Sequence, residues 1–339
     1  MNGIRHSRID NGILDFMMMI YLLLLIGFSL LLIKAADIVS ESLNELSKIT
    51  HIGKFAITSL LLSFATSISE LVVGITAALG GKSSLSLGVI LGSNIANLSL
   101  VVGGAALIGG SLSVAGQFLK LDVFSVFLAG VLPLMLLLDK TLSRADGIIL
   151  LLVYGVYNYG ILKNQQADQP TGTGRFKLIL LGEGLKSKKM NKWLAWLFLG
   201  TALLIFGADM IVKLAVMIAK TIEAPVLLVG MFLIAVGAVL PELSFEARAI
   251  KKHQAGMVLG NLTGSIVVNS TLILGLVALI NPIKLQNGLN AYLLAAAAFG
   301  MMFLLFWQFV RTKKKLERWE GAVLILVYLA FAIMEWLKR

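Results

Sequence analysis

Cysteine is absent from the 339 residues, which excludes disulfides, thiolate metal sites and cysteine nucleophiles. Histidine is nearly absent. His6, His51 and His253 lie in polar segments, too far apart in sequence to suggest a zinc triad. Charge is scarce too: Asp, Glu, Lys and Arg make up 14% of the chain, where a soluble protein carries roughly 25%. Such a chain cannot wet a surface of ordinary size. Hydrophobic residues instead reach 58%, with a mean hydropathy of +0.92. The sequence describes a polytopic membrane protein. Its net charge of +11 fits basic residues gathered in cytosolic loops, and no basic-aromatic module for RNA or DNA is present.

A spanning helix needs about 20 mainly apolar residues. Ten stretches qualify: 14–39, 55–80, 85–109, 117–138, 146–163, 192–219, 225–250, 256–281, 288–310 and 319–337. The first imitates a signal peptide, with Ala35-Ala36 as a mock cleavage site, and Met17, Met18 and Met19 offer an alternative start just before its apolar run. The polar stretch 164–191 reads as a cytosolic linker. It divides the chain into a first five-helix repeat (14–163) and a second (192–337). Lys and Arg concentrate on the side that holds this linker, Arg248, Lys251, Lys252 and the cluster from Arg311 to Arg318. The positive-inside rule then puts the linker in the cytosol and both termini outside a cell membrane.

The two halves repeat each other. A shift of 172 residues lays Asp37 on Asp209, Glu70 on Glu242, Gly88 on Gly260 and Gly92-Ser93 on Gly264-Ser265, then Asn97 on Asn269 and Gly103 on Gly275. A signal peptide has no reason to match a later span, so the first span is retained. With five spans per half, the second copy enters the membrane from the opposite side. The expected fold is an all-α membrane protein of about ten transmembrane helices in two inverted-topology repeats, an architecture of secondary transporters.

The matched residues carry chemistry. Glu70 and Asn97 flank the turn near Lys82 at equal separations, both about 20 Å from it along their helices. Thr66 and Glu70, like Ser93 and Asn97, are spaced to share a helix face. The second copy supplies Glu242, Ser265 and Asn269. Carboxylates at mid-membrane cost about 2.5–3.5 kcal/mol each on insertion scales and are functional by default. Lys213, placed near an outer helix end, is no partner for them, so a mobile cation is the simplest one. Oxygen-only ligands suit hard cations, and calcium's double charge balances two carboxylates. Sodium or protons neutralise the same pair when calcium leaves. The glycines at 88, 92, 260 and 264 also fit a plain helix-packing role. Pro241, just before Glu242, is placed to break its helix, whereas Ser69 holds that position in the first copy.

These segments resemble the two alpha-repeats of the calcium/cation antiporter superfamily, the sodium/calcium exchanger family. The motif residues are Ala65-Thr66-Ser67-Ile68-Ser69-Glu70 with Gly88 to Asn97, and Gly237-Ala238-Val239-Leu240-Pro241-Glu242 with Gly260 to Asn269. The resemblance implies calcium/sodium exchange by alternating access. It implies Glu70 and Glu242 as calcium ligands, with Thr66, Ser67, Ser93, Asn97, Ser265 and Asn269 around them. Ala238 and Val239 depart from the pattern where Thr and Ser belong, although the Ala238 carbonyl remains available. A calcium/proton or other cation/proton antiporter is therefore the alternative, and a passive channel or an inactive relative a more remote one.

Glu246, one turn beyond Glu242 where the first copy has Gly74, is a candidate second acid on the ion path, with pairing to Arg248 or Lys251 at a helix end as the favoured reading. Asp37 and Asp209 are left outside the ion's immediate shell. No enzyme is expected: His-Glu-x-x-His, Gly-x-Ser-x-Gly and P-loop motifs are absent, and Ser67 or Ser93 has no histidine base at its depth. No cofactor is expected. The expected partners are calcium and sodium ions and the lipid bilayer, with a monomeric chain and no nucleic acid.

Overall fold

Long apolar runs become helices here, since a helix satisfies its own backbone hydrogen bonds in lipid. The computed structural model describes residues 2–50, 66–113, 118–166, 188–251, 255–285 and 289–337. Among these, six helices are long and apolar enough to cross a membrane: Phe16–Val39, Ser83–Gly109, Lys189–Thr221, Val258–Ile280, Tyr292–Lys313 and Arg318–Leu337. Ile68–Leu79, Val126–Asp139 and Val226–Ala238 are shorter apolar helices. The protein is a multi-pass helical membrane protein.

Several boundaries differ from those read in the sequence. The first helix runs from Asn2 to Thr50, well past residue 39, through polar residues that still favour helix, such as Glu41, Glu45 and Lys48. Hydropathy marks only its apolar part. Both ends of the expected linker are helical: Arg144–Gln166 covers 164–166, and Lys188–Thr221 covers 188–191. Residues 167–187, like 55–65 of the second expected stretch, lie outside the described residues. The stretch expected at 225–250 is not one helix. It runs Val226–Val229, a π-helical turn at Gly230–Ile234, Ala235–Ala238, and then, after a break, Leu240–Lys251.

Among the described residues four short strands, invisible to a helical reading, pair across the two halves. β1 (Ser111–Ser113) runs antiparallel to β4 (Lys315–Glu317), and β2 (Thr141–Leu142) to β3 (Ile283–Lys284). The offset of 172 nearly superimposes one pair on the other, since Ser111 corresponds to Ile283 and Thr141 to Lys313, two residues before β4. Helix packing follows the same crossed pattern. Arg144–Gln166 packs on Leu274–Ile280 of the second half, and Arg318–Leu337 packs on Val102–Gly109 of the first. Each crossing is a glycine-to-glycine approach, Gly147 on Gly275 and Gly103 on Gly321, where a methyl group would meet main chain within 3.0 Å. Small residues let helix backbones close in a bilayer. One cluster of buried side chains fills this crossed region, and a second lies where the Asn2–Thr50 and Lys188–Thr221 helices run together.

Candidate ion-binding site

Two broken helices set the site. At Ser67 the backbone has φ −86° and ψ 9°, and the Ile68–Leu79 helix starts directly after it. At Val239, its match in the second half, φ is −84° and ψ is −3°, and Leu240–Lys251 follows. Helical ψ is near −42°, so both chains leave the helix at the same register. Pro241 accounts for the second break, because it has no N–H to give to the carbonyl four residues back. The first copy breaks without proline. There Ser69 donates instead to Oε2 of Glu70 at 2.7 Å. Each break places a glutamate in the first turn of a new helix, where the positive end of the helix dipole favours a negative charge.

The facing helices also depart from α geometry where they carry their amides. Ser83–Ala96 passes into a π-helical turn at Asn97–Val101, and Ala255–Val267 into another at Val268–Ile273, which contains Asn269. π-turns recur at functional sites because they re-aim a side chain without ending the helix.

The structure gathers the expected residues in one place. Glu70, Glu242, Ser67, Ser93, Asn97, Ser265 and Asn269 are buried, and Thr66 nearly so. Glu70 and Glu242 are close enough to repel one another electrostatically. Ser93 lies beside the Glu70 carboxyl, and Ser265 and Asn97 lie beside that of Glu242, so Asn97 reaches across to the other half's acid. Thr66 Oγ1 donates to Asn261 Oδ1 at 2.9 Å and stands 3.4 Å from Ser265 Oγ.

What remains unbonded is concentrated here. Glu70 Oε1, both Glu242 carboxylate oxygens, Ser67 Oγ, Ser93 Oγ, both ends of the Asn97 amide and Asn269 Oδ1 make no hydrogen bond. Buried polar atoms are ordinarily paired, and each orphan costs about 1–3 kcal/mol. A cluster of unpaired carboxylate, hydroxyl and amide oxygens has the chemistry of a hard-cation cage. Among the described residues no three His, Cys, Asp or Glu side chains group closely enough to hold an ion. Hydroxyls, amides and carbonyls would complete any shell around the two acids.

Two participants escaped the sequence reading. Asn94 donates to Ser270 Oγ at 2.8 Å and accepts from Asn269 Nδ2 at 3.1 Å, joining the halves at their centre. Asn94 stands in the quoted motif, but its match, Ile266, hid it from a comparison of the copies. Asn261 was hidden likewise, because its match is Val89. Glu246, the candidate second acid, is buried beside Asn261, with Oε2 unbonded. The side chains of Arg248 and Lys251 lie outside the described residues. Asp37 is exposed, and Asp209 pairs with Lys213 at 2.7 Å on a half-exposed surface, both away from the cage.

With this geometry in hand, the similarity to known proteins is specific. A family profile described as "Sodium/calcium exchanger protein" matches residues 20–163 and 192–337. The chain is 27% identical to the sodium/calcium exchanger MaX1 of Methanosarcina acetivorans over 345 residues, covering 93% of this chain and 97% of that one. It is 31% identical to the Escherichia coli inner membrane protein YrbG over 262 residues, or 77% and 79% of the two chains. Its fold resembles that of the sodium-calcium exchanger NCX_Mj, solved with 10 mM Na+ and 10 mM Sr2+, with a TM-score of 0.63 at 24% identity over 91% of this chain and 97% of that one. The chain belongs to the sodium/calcium exchanger protein family.

Proposed function

We propose that the protein exchanges calcium for sodium across the cell membrane by alternating access, with the ions held between Glu70 and Glu242. One observation carries this reading. Two buried glutamates, each in the first turn of a helix broken at matched positions, face one another among unbonded oxygen donors. Thr66, Ser67, Ser93, Asn97, Ser265 and Asn269 complete the ligand set. An empty site with two like charges would cross the membrane poorly, which favours exchange over leak.

The same proposal covers topology: ten spans in two inverted repeats, 14–163 and 192–337, joined by a cytosolic linker at 164–191, with both termini outside. The offset of 172 that relates the motifs also relates the helix breaks, the two amide-bearing π-turns and, within two residues, the strand pairs. Such agreement is hard to reach without a repeat, and an odd number of spans per repeat inverts the second copy.

A calcium/proton antiporter is the second reading. Ala238 and Val239 offer no hydroxyl to sodium in the second copy, and a third buried acid, Glu246, lies one turn away. Calcium-45 uptake into proteoliposomes decides between them. Uptake driven by an outward sodium gradient, and lost in both Glu70→Gln and Glu242→Gln, is the expected result. Uptake driven only by protons selects the second reading. Uptake without either gradient points to a channel, and no calcium movement under any gradient refutes the calcium assignment.

A further inference from the structure

The turn between the Tyr292–Lys313 and Arg318–Leu337 helices repeats a turn of the first half, with a different surface. A shift of 174 residues, two more than relates the motifs, lays 137–146 on 311–320. Lys140 and Lys314 both take left-handed backbone, with φ of 69° and 53°. Leu142 and Leu316 are both fully buried. The Ser143 amide donates to Asp146 Oδ2 at 2.8 Å, and the Glu317 amide to Glu320 Oε2 at 2.8 Å. Arg144 donates to the Leu279 carbonyl of the opposite half at 3.1 Å, and Arg318 lies against Gly110 of the opposite half.

One backbone design therefore serves both turns, and it does not dictate their charge. Two acids and two bases cancel over 137–146, whereas five bases meet only two acids over 311–320. Both of those acids are already committed. Glu320 is buried and caps the Glu317 amide. Glu317 takes Lys313 Nζ at 2.7 Å, Trp319 Nε1 at 2.9 Å and Lys315 Nζ at 3.0 Å, which holds three side chains next to one another. Arg311, Lys313, Lys314 and Arg318 are exposed. Beyond β1, residues 114–125 carry one acid, Asp122, against Lys120, and 251–254 carry Lys251 and Lys252 with no acid.

Two tryptophans frame the basic turn. The Arg311 guanidinium lies over the Trp307 ring, 5.4 Å from its centroid, and Trp319 meets Phe309 edge-on at 5.5 Å. Both indoles reach the surface. The turn of the first half has Pro133 and Ala145 in their places. Tryptophan at the end of a spanning helix sits at headgroup level, so it sets the depth of the bases beside it. Orientation in the membrane requires only that basic residues lie on one side, not that a shared carboxylate fix them. We propose that this turn is a docking surface for anionic phospholipid, whose headgroup phosphate is met by the exposed bases between Trp307 and Trp319. Clusters of four to eight Lys or Arg directly beside a spanning helix attract such lipid, and each charge contributes about fivefold in affinity. The surface stands whichever ion the protein carries.

Native mass spectrometry of the purified full-length protein tests the proposal, counting bound lipid as phosphatidylglycerol or phosphatidylcholine is titrated into the detergent micelle. Wild type should half-saturate with phosphatidylglycerol at about one-tenth of the phosphatidylcholine concentration. Arg311→Gln and Lys314→Gln should each raise the phosphatidylglycerol value about fivefold. Lys140→Gln removes the same charge from the other turn and should leave it unchanged. Melting temperatures without added lipid should match wild type, and if Arg311→Gln fails to fold, Lys314→Gln carries the test. Equal binding of the two lipids overturns the proposal, as does unchanged phosphatidylglycerol binding in Arg311→Gln and Lys314→Gln. An equal loss in Lys140→Gln also overturns it, because net charge rather than this turn would then attract the lipid. Displacement of phosphatidylglycerol by equimolar glycerol phosphate overturns it in favour of a soluble phosphate ligand.

Discussion

A Cβ placed on Gly88 would overlap the carbonyl oxygen of Leu227. Gly92 sits in the same way against the carbonyl of Met231, and Gly230 against that of Leu85, where a Cβ would stand 2.7 Å away. The motif helix Ser83–Ala96 therefore crosses the Val226–Ala238 segment backbone to backbone, directly beside the glutamates. Gly88→Ala must push these segments apart, at a cost of about 1–3 kcal/mol or more. The expected result is a lower melting temperature in detergent together with loss of calcium uptake. Gly155, with nothing within 4 Å of its virtual Cβ, is the control, and Gly155→Ala should leave both unchanged.

Asn94 holds its partners from both ends of one amide. With Asn269 Nδ2 committed to Asn94, Asn269 Oδ1 is left to face elsewhere without a bond. Asn94→Ala frees that amide to rotate and leaves Ser270 without its donor. Destabilisation of about 1–3 kcal/mol is expected. Half-saturating calcium should rise several-fold in the same variant, and a combined Asn94→Ala, Asn269→Ala protein should show less than the sum of the two effects.

Outside the membrane, Glu317 accepts from Lys313 Nζ and from Trp319 Nε1, and Lys315 lies 3.0 Å away. These donors, Lys313 first, hold its carboxyl down at about 2, below the ordinary 4.5. A depressed carboxylate contributes stability that is complete above the ordinary value and disappears as pH falls through the depressed one. The difference in melting temperature between wild type and Glu317→Gln should be constant above about pH 4.5 and close towards pH 2. The side chain is partly exposed and screened by solvent, so the difference itself should be small. A difference that closes near neutral pH would refute the assignment.

Much of this was legible in the sequence, for physical reasons. Long apolar runs have one stable form in lipid, so the helices were readable from hydropathy. The glutamates were readable because a carboxylate in such a run demands a reason, and a matched second one supplied it. What hydropathy could not register was the break at Ser67, where no proline stands, or the π-turns at Asn97 and Asn269, which leave the apolar pattern unchanged. Comparing the copies found residues that agree, and so passed over Asn94 and Asn261, which have no polar counterpart. Glu246 stood out against Gly74 of the other copy, while the basic residues near it gave it the reading of an ordinary helix-end acid.

The crossed packing bears on how the chain is made. Arg144–Gln166 leaves the ribosome before Leu274–Ile280, the helix on which Gly147 rests, has been translated. β2 likewise waits for β3, and Val102–Gly109 for Arg318–Leu337. The first half therefore spends its early life in the bilayer with its close-packing faces uncovered, until helices such as Arg318–Leu337 arrive to cover them. Contacts so distant in sequence form late and slowly. Two fragments divided within 167–187 should each remain incomplete alone, and recover the native core only when both occupy the same membrane.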